Sequence, residues 1–324
     1  MNSFGHNFRL SIFGESHGPA VGITIDGCPP GIDLKEEDFA ADLERRKGGL
    51  QKGTTPRTED DIPVFLSGLF NGKTTGSPLT IIFHNKNTRS SDYDKARAIP
   101  RPGHADFVAH QKFRGFEDYR GGGHFSGRLT VCLVAAGVVA KKLLPSIKIQ
   151  ASILEIGGET DIEKGLQKAI DAKDSVGGII ECTATGIPVG LGEPFFNSVE
   201  SLISHAVFSI PALKGIEFGA GFAAARLFGS QHNDPQADAE GLTATNHSGG
   251  IVGGLTNGNP LVFRVVVKPT SSTPKEQTSW NTETAQMESF SVKGRHDLCI
   301  ALRVPPVLEA VTALVLADLL QSTS

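Results

Sequence analysis

RPGHADFVAHQKFRGFEDYRGGGHFSGR (residues 101–128) runs directly into LTVCLVAAGVVAKKLL (129–144). The first piece holds three of the chain's ten histidines, four arginines, a lysine and a Gly-Gly-Gly run. A packed helix or strand has little use for that mixture. The second piece is apolar on every face, which places a helix in a core, and its apolar run is too short to span a bilayer. A buried helix is therefore predicted over about 128–144. The other long apolar run, VPPVLEAVTALVLADLL (304–320), carries Glu309, Asp318 and two prolines. It also reads as a core helix, starting near Pro306, where proline is favoured.

Working outward, short apolar runs bounded by turn residues predict strands at 8–13, 21–26, 147–156, 176–185 and 260–269. A hairpin is predicted from 62–70 through Asn71-Gly72 to 77–83. A helix follows Asp33, whose spacing to Glu36 is a capping-box signal, and stops at Gly48-Gly49. Further helices are expected near 105–114, 161–172 and 199–209, and a short strand at 289–294. No linker-like break appears. The expectation is one α+β domain over 1–324, with mixed sheets and internal helices sandwiched together.

The chain has 324 residues, 39% of them apolar and 20% charged, a globular composition with room for a substantial core. A net charge of −4, one Trp and two Tyr argue against a broad nucleic-acid surface. The positive charge is clustered instead, which suits a small anionic ligand. Cys28, Cys132, Cys182 and Cys299 form no C-x-x-C pair and read as small buried residues in a reducing compartment. The start has no signal-peptide layout, so a cytoplasmic location without a membrane partner is expected. Glycine, at 38 of 324 residues, is about 12% against roughly 7% in ordinary chains. Its clusters fit tight turns and close approach of backbone to a ligand.

Five stretches carry chemistry. GESHG (14–18) matches the G-x-S-x-G nucleophile elbow, but an elbow needs strand, turn and helix, and a strand-like run follows here. The remaining readings are an ordinary turn, or a turn on which His17 works as an imidazole titrating near neutrality. In LERRKGGLQKGTTPR (43–57), Arg45 to Lys47 suit a helix C-terminus. Lys52 and Arg57 lie beyond it on a Gly/Thr loop and read as a cationic flap. GGGHFSG, flanked by Arg120 and Arg128, feeds a helix N-terminus, an arrangement that receives anions. KPTSST (268–273) offers an ammonium and several hydroxyls for a phosphate. GRHD (294–297) sets Arg295, His296 and Asp297 before the last helix, where the carboxylate can be a base, orient one, or be a surface ion pair. His104 and His110 are six apart and no H-x-H or H-x-x-x-H occurs, so no metal is expected.

These stretches together resemble the chorismate synthase family. GESHGPAVGITIDGCPPG (14–31), RPGHAD (101–106), YRGGG (119–123), NHSGGIVGG (246–254), KPTSS (268–272) and GRHDLCIALRVPPVLEA (294–310) fall in the family's order. The resemblance implies a β-α-β sandwich that assembles as a homotetramer. It implies a lyase that converts 5-enolpyruvylshikimate 3-phosphate to chorismate by anti-1,4-elimination of phosphate, with reduced FMN. By the same resemblance His17 protonates the leaving phosphate, His104 serves the reduced flavin, and Asp297 helps remove the proton by way of flavin N5. Arg46, Lys52, Ser126 and Arg128 hold substrate anions. His124, Phe125, Ser126, Pro211, Ala212, Gly253, Lys268, Pro269, Thr270, Ser271, Ser272 and Arg295 fall at the flavin site. Some relatives reduce their flavin with NADPH; no dinucleotide fingerprint occurs here, so an external reductant is expected. The chain departs from the family's R-S-S-A-R at 124–128, where it has His124-Phe125-Ser126-Gly127-Arg128. An imidazole lacks the fixed guanidinium fork, and Phe125 exchanges a hydroxyl for an apolar face. Lys52 stands where many members have Arg, and Leu298 where they have Pro, Ser or Val.

Overall fold

The computed structural model describes residues 2–49, 51–88, 98–292 and 296–322. The first half runs β1 (Ser3–Phe4), β2 (Arg9–Gly14), β3 (Ala20–Asp26), α1 (Glu37–Arg46), β4 (Val64–Ser67), β5 (Leu69–Phe70), β6 (Lys73–Thr74) and β7 (Leu79–His84). It continues with α2 (Asp106–Phe113) and α3 (Thr130–Lys142). The second half runs β8 (Lys148–Ile156), α4 (Ile162–Ala172), β9 (Gly178–Thr185), α5 (Val199–Val207), β10 (Leu213–Phe218) and α6 (Gly229–His232). Then come β11 (Ile251–Val252), β12 (Leu255–Thr256), β13 (Leu261–Val267), β14 (Gln277–Asn281), β15 (Gln286–Phe290) and α7 (Pro305–Ser322).

Two antiparallel sheets form the outer layers, in the orders β1-β2-β3-β7-β4 and β10-β13-β9-β8. Between them lie α3 and α7. α3 packs on β3 and β7, α7 on β8 and β9, and the two helices pack on each other. This is the β-α-β sandwich expected. Both internal helices lack a polar face because both are covered: α3 is buried from Thr130 to Ala140 and α7 from Pro305 to Leu319. Their approach is close. A Cβ built on Gly137 would fall 2.3 Å from the Cβ of Ala310.

The two carboxylates inside α7 are accounted for by their partners. Glu309 accepts from Arg45 Nη1 and Nη2 at 2.8 and 2.7 Å, from Lys141 Nζ at 3.3 Å and from Ala151 N at 3.0 Å. It thereby ties α1, α3 and β8 to α7. Asp318 accepts from the backbone N–H groups of His6, Asn7 and Phe8 at 2.9, 2.6 and 2.8 Å. Buried carboxylates persist when their lone pairs are filled in this way. The four cysteines are buried free thiols.

Most predicted elements form within a few residues of their expected ends. Asn71 and Gly72 both take positive φ, 49° and 73°, the geometry a two-residue hairpin turn needs. Three expectations are corrected. Asp33 does not cap α1: its carboxylate is taken by Lys73 Nζ at 2.8 Å, and α1 starts at Glu37. Of the strand expected at 289–294, residues 289–290 belong to β15, which pairs with β14, while 293–294 lie outside the described residues. β10, hidden in a Gly- and Ala-rich stretch, was not predicted and pairs with β13.

Candidate functional site

The layers leave a cavity of about 810 Å³ between the ends of the internal helices and the loops that enter them. Most predicted motifs stand on connections into this region, although His17 and Gly253 are not among its lining residues. Arg46 ends α1, His17 sits in the turn from β2 to β3, and His104 precedes α2. Ser126 and Arg128 precede α3, Lys268 to Ser272 follow β13, and Asp297 precedes α7. Arg46, His104, His124, Phe125, Ser126, Arg128, Pro211, Ala212, Lys268, Thr270, Ser271, Ser272 and Asp297 all line the cavity.

The cationic end is built around one anion. Arg46 and Arg128 are both buried, and Asp61 sits between them. Arg46 Nη2 donates to Asp61 Oδ2 at 2.6 Å, and Arg128 Nη1 donates to Asp61 Oδ1. Arg46 Nη1 lies 3.3 Å from Thr130 Oγ1, while its buried Nε has no partner among the described residues. Burial pushes the Arg46 guanidinium down to about 10, opposed by Asp61 and reinforced by Arg303 and Arg128, so it stays cationic at neutral pH. Burial favours the neutral Asp61, but the two guanidiniums outweigh it and hold the carboxyl below its ordinary range.

The second cluster joins two motifs far apart in sequence. Arg101 binds Asp106 through Nε at 2.7 Å and Nη2 at 2.8 Å, and its Nη1 donates to Ser272 Oγ at 3.1 Å. His104 Nδ1 lies 2.5 Å from Asp106 Oδ1. Arg101 Nη2 lies 3.1 Å from the same Nδ1, so the guanidinium and the carboxylate together hold the ring in place. Burial on its own would raise the Asp106 carboxyl; Arg101 and His104 reverse the sign and hold it far below the ordinary range. Lys268 Nζ donates to Ser271 Oγ at 2.7 Å, and Ser271 Oγ donates to Gly103 O at 2.7 Å. The KPTSS strap is thus fastened to the loop that carries His104.

The third cluster holds Asp297. Thr55 N donates to its Oδ1 at 2.9 Å and Arg303 Nη1 to its Oδ2 at 3.0 Å; Arg303 Nε also donates to Arg46 O at 2.8 Å. The carboxylate is therefore oriented from two sides.

His17 lies beside the glycine loop, whose Gly121, Gly122 and Gly123 have positive φ. Ser16 is fully buried, its Oγ is 3.2 Å from Arg57 Nη1, and β3 follows. That is not a nucleophile elbow. His124 Nδ1 lies 2.8 Å from Gly14 O; a carbonyl only accepts, so Nδ1 carries the proton. Phe125 packs on Phe113 with ring centroids 6.2 Å apart.

Some predicted residues stand elsewhere. Lys52 is exposed, with Nζ 2.9 Å from Gln167 Oε1 of α4, and does not line the cavity. Gly253 turns between β11 and β12, also off the lining, and Pro269 offers its carbonyl to Lys268 Nζ at 3.3 Å. Arg295 lies outside the described residues. Asp61 and Arg303 were missed. Asp61 ends an acidic run, Glu59-Asp60-Asp61, that reads as solvent-exposed. Arg303, a lone cation inside CIALRVPP, is a signal that could have been taken up. The far wall is apolar, with Phe4, Leu10, Ile12, Val307, Val311 and Leu314.

A family model described as chorismate synthase matches residues 8–321. A chorismate synthase of Chitinophaga pinensis is 69% identical over 319 residues, spanning 98% of this chain and 96% of that protein. One from Dehalococcoides mccartyi is 44% identical over 350 residues, with 98% and 96% covered. One from Methanocaldococcus jannaschii is 42% identical over 364 residues, with 99% and 96% covered. A crystal structure of a chorismate synthase superposes with a TM-score of 0.73 at 29% identity, covering 99% of this chain and 93% of that one.

Proposed function

The chain belongs to the chorismate synthase family, a lyase forming chorismate in the last step of the shikimate pathway, and from that premise we propose the finer chemistry. The substrate is 5-enolpyruvylshikimate 3-phosphate, and phosphate leaves by anti-1,4-elimination. The single observation that carries this reading is the buried pair Arg46 and Arg128 around one carboxylate, facing the same cavity as His104 and Asp297. A multiply anionic substrate needs fixed cationic donors that are already oriented.

The residues present fit FMN. Lys268 and Ser272 offer donors for a phosphate beside Ser271, and the buried Thr270 Oγ1 has no partner among the described residues. The apolar wall suits a flat ring, and Pro211, Ala212, His124 and Phe125 border the same space. Reduced FMN, when bound, supplies the electron that eases C–O cleavage without net redox change. The chain's own residues do the rest. Arg46, Arg128 and Ser126 orient the substrate's anions, with Lys52 as an outlying cation, and Arg295 serves the flavin. His17 donates a proton to the departing phosphate. His104, oriented by Asp106, holds a proton at the cofactor edge, and Asp297, held by Thr55 and Arg303, helps remove the ring proton.

We propose further that residues 1–324 act as one domain, in a cytoplasmic homotetramer whose flavin is reduced externally rather than by its own NADPH. The deciding experiment is anaerobic: protein, dithionite-reduced FMN and 5-enolpyruvylshikimate 3-phosphate, followed by phosphate release and chorismate absorbance. Turnover that depends on reduced FMN is expected; release without flavin, or none with it, refutes the reading.

A further inference from the structure

Asp61 is the group that neither the sequence nor the family resemblance marks. Its side chain is wholly buried, although it is charged. Its backbone takes φ 53°, a left-handed conformation uncommon outside glycine. Both features would be selected against at an ordinary loop position, and a buried ion pair is by itself weak evidence for stability. What the arrangement achieves is geometric. Each carboxylate oxygen holds one guanidinium, so one rigid group sets the spacing of two arginines. They come from positions 15 and 67 residues away in sequence.

The linkage continues. Arg128 Nε donates to Asn85 Oδ1 at 2.9 Å, and Asn85 Nδ2 donates to Glu15 O at 3.0 Å and Gly18 O at 2.8 Å. Those two carbonyls flank His17. The cluster of two cations and one anion also keeps a net charge of +1, and Arg46 Nε remains buried without a partner among the described residues. A wholly neutralised cluster would have no field left for an anion.

We propose that Asp61 is a positioning residue for substrate: it holds Arg46 and Arg128 in the arrangement that receives the substrate's anionic groups, and it couples that arrangement to the turn carrying His17. This rests on the reading of Arg46 and Arg128 as substrate ligands. The sign of the effect separates positioning from plain electrostatics. Removing a negative charge beside an anion site strengthens anion binding by Coulomb's law; removing a positioning group weakens it.

The test uses the full chain with Asp61→Asn and Asp61→Glu. Calorimetry gives Kd for 5-enolpyruvylshikimate 3-phosphate, anaerobic assays with reduced FMN give KM and kcat, and thermal melting reports the fold. Kd and KM are expected to rise on the order of 10- to 100-fold in Asp61→Asn, the size of a lost charge-assisted hydrogen bond. A smaller fall in kcat is expected alongside, because the link through Arg128 and Asn85 to the turn that carries His17 is loosened too. Unchanged or tighter binding overturns the proposal. If Asp61→Asn does not fold, Asp61→Glu decides: one added methylene shifts the carboxylate, and wild-type KM in that variant overturns it. If the wild type neither binds nor converts the substrate, the functional reading falls. The variants are then compared for inorganic phosphate binding: weaker binding than wild type supports the positioning role, and equal or absent binding in the wild type overturns it.

Discussion

A Cβ placed on Gly121 would lie 2.5 Å from both Cδ2 and Nε2 of His17, so the imidazole occupies the space that a side chain at 121 would need. The backbone there has φ 61°, and glycine is required twice over, for conformation and for contact. Gly121→Ala must push the ring away. We expect kcat to fall by about 10²-fold or more, the usual range for loss of a positioned acid, with a much smaller change in substrate Kd. Single-turnover phosphate release under anaerobic conditions measures it; a wild-type rate would remove His17 from the proton-donor role.

Arg303 touches Asp297 with Nη1 and the Arg46 carbonyl with Nε. Arg303→Lys retains charge but cannot make both bonds. A drop in kcat of about 10- to 100-fold is expected from the misplaced carboxylate. Asp297→Asn added to it should cost little more, since residues in one network are not additive. Full additivity in that double-mutant cycle would break the linkage.

Asp106 makes stability pH-dependent, and the sign follows from its depressed folded value. The unfolded carboxyl titrates near about 3.9. The contribution is complete above that pH and is lost as pH falls through the lower folded value. Urea midpoints of wild type and Asp106→Asn should therefore differ by a constant amount between about pH 5 and 8. The gap should begin to narrow below about pH 4 and shrink steadily in stronger acid. A gap that does not narrow there would show that the carboxylate's charge is not what stabilises.

Gly137→Leu tests the sandwich itself. Its side chain would have to enter the α3–α7 contact, where even a Cβ meets Ala310 at 2.3 Å. A loss of at least about 1–3 kcal/mol is expected, read from denaturant midpoints, while a surface change such as Lys168→Leu, with Lys168 half exposed, stays near wild type. An unaltered midpoint in Gly137→Leu would contradict the packing described.

The sequence carried much of this architecture because local chemistry specifies local structure. Helices without a polar face had to be internal, and Asn71-Gly72 had to turn a hairpin. Where it misled, a distant partner overrode a local preference. Asp33 has capping chemistry, but Lys73, forty positions on, takes its carboxylate. β10 has weak strand character of its own and forms because β13 presents an open edge to it.

For the site, the chain's local patterns settle which chemical groups the loops bring: the cations at 46 and 128, the imidazoles at 17 and 104, the strap at 268–272, the carboxylate at 297. How they are paired is settled by the packing of distant elements. Asp61 is indistinguishable in the chain from its acidic neighbours, and it becomes the anion between two arginines because the packing of α1 against α3 brings both guanidiniums to it. Arg303 reaches Asp297, and Arg101 reaches Ser272, for the same reason. Composition and pattern are properties of neighbours along the chain, whereas the partner of a buried charge is chosen by which elements the core forces together.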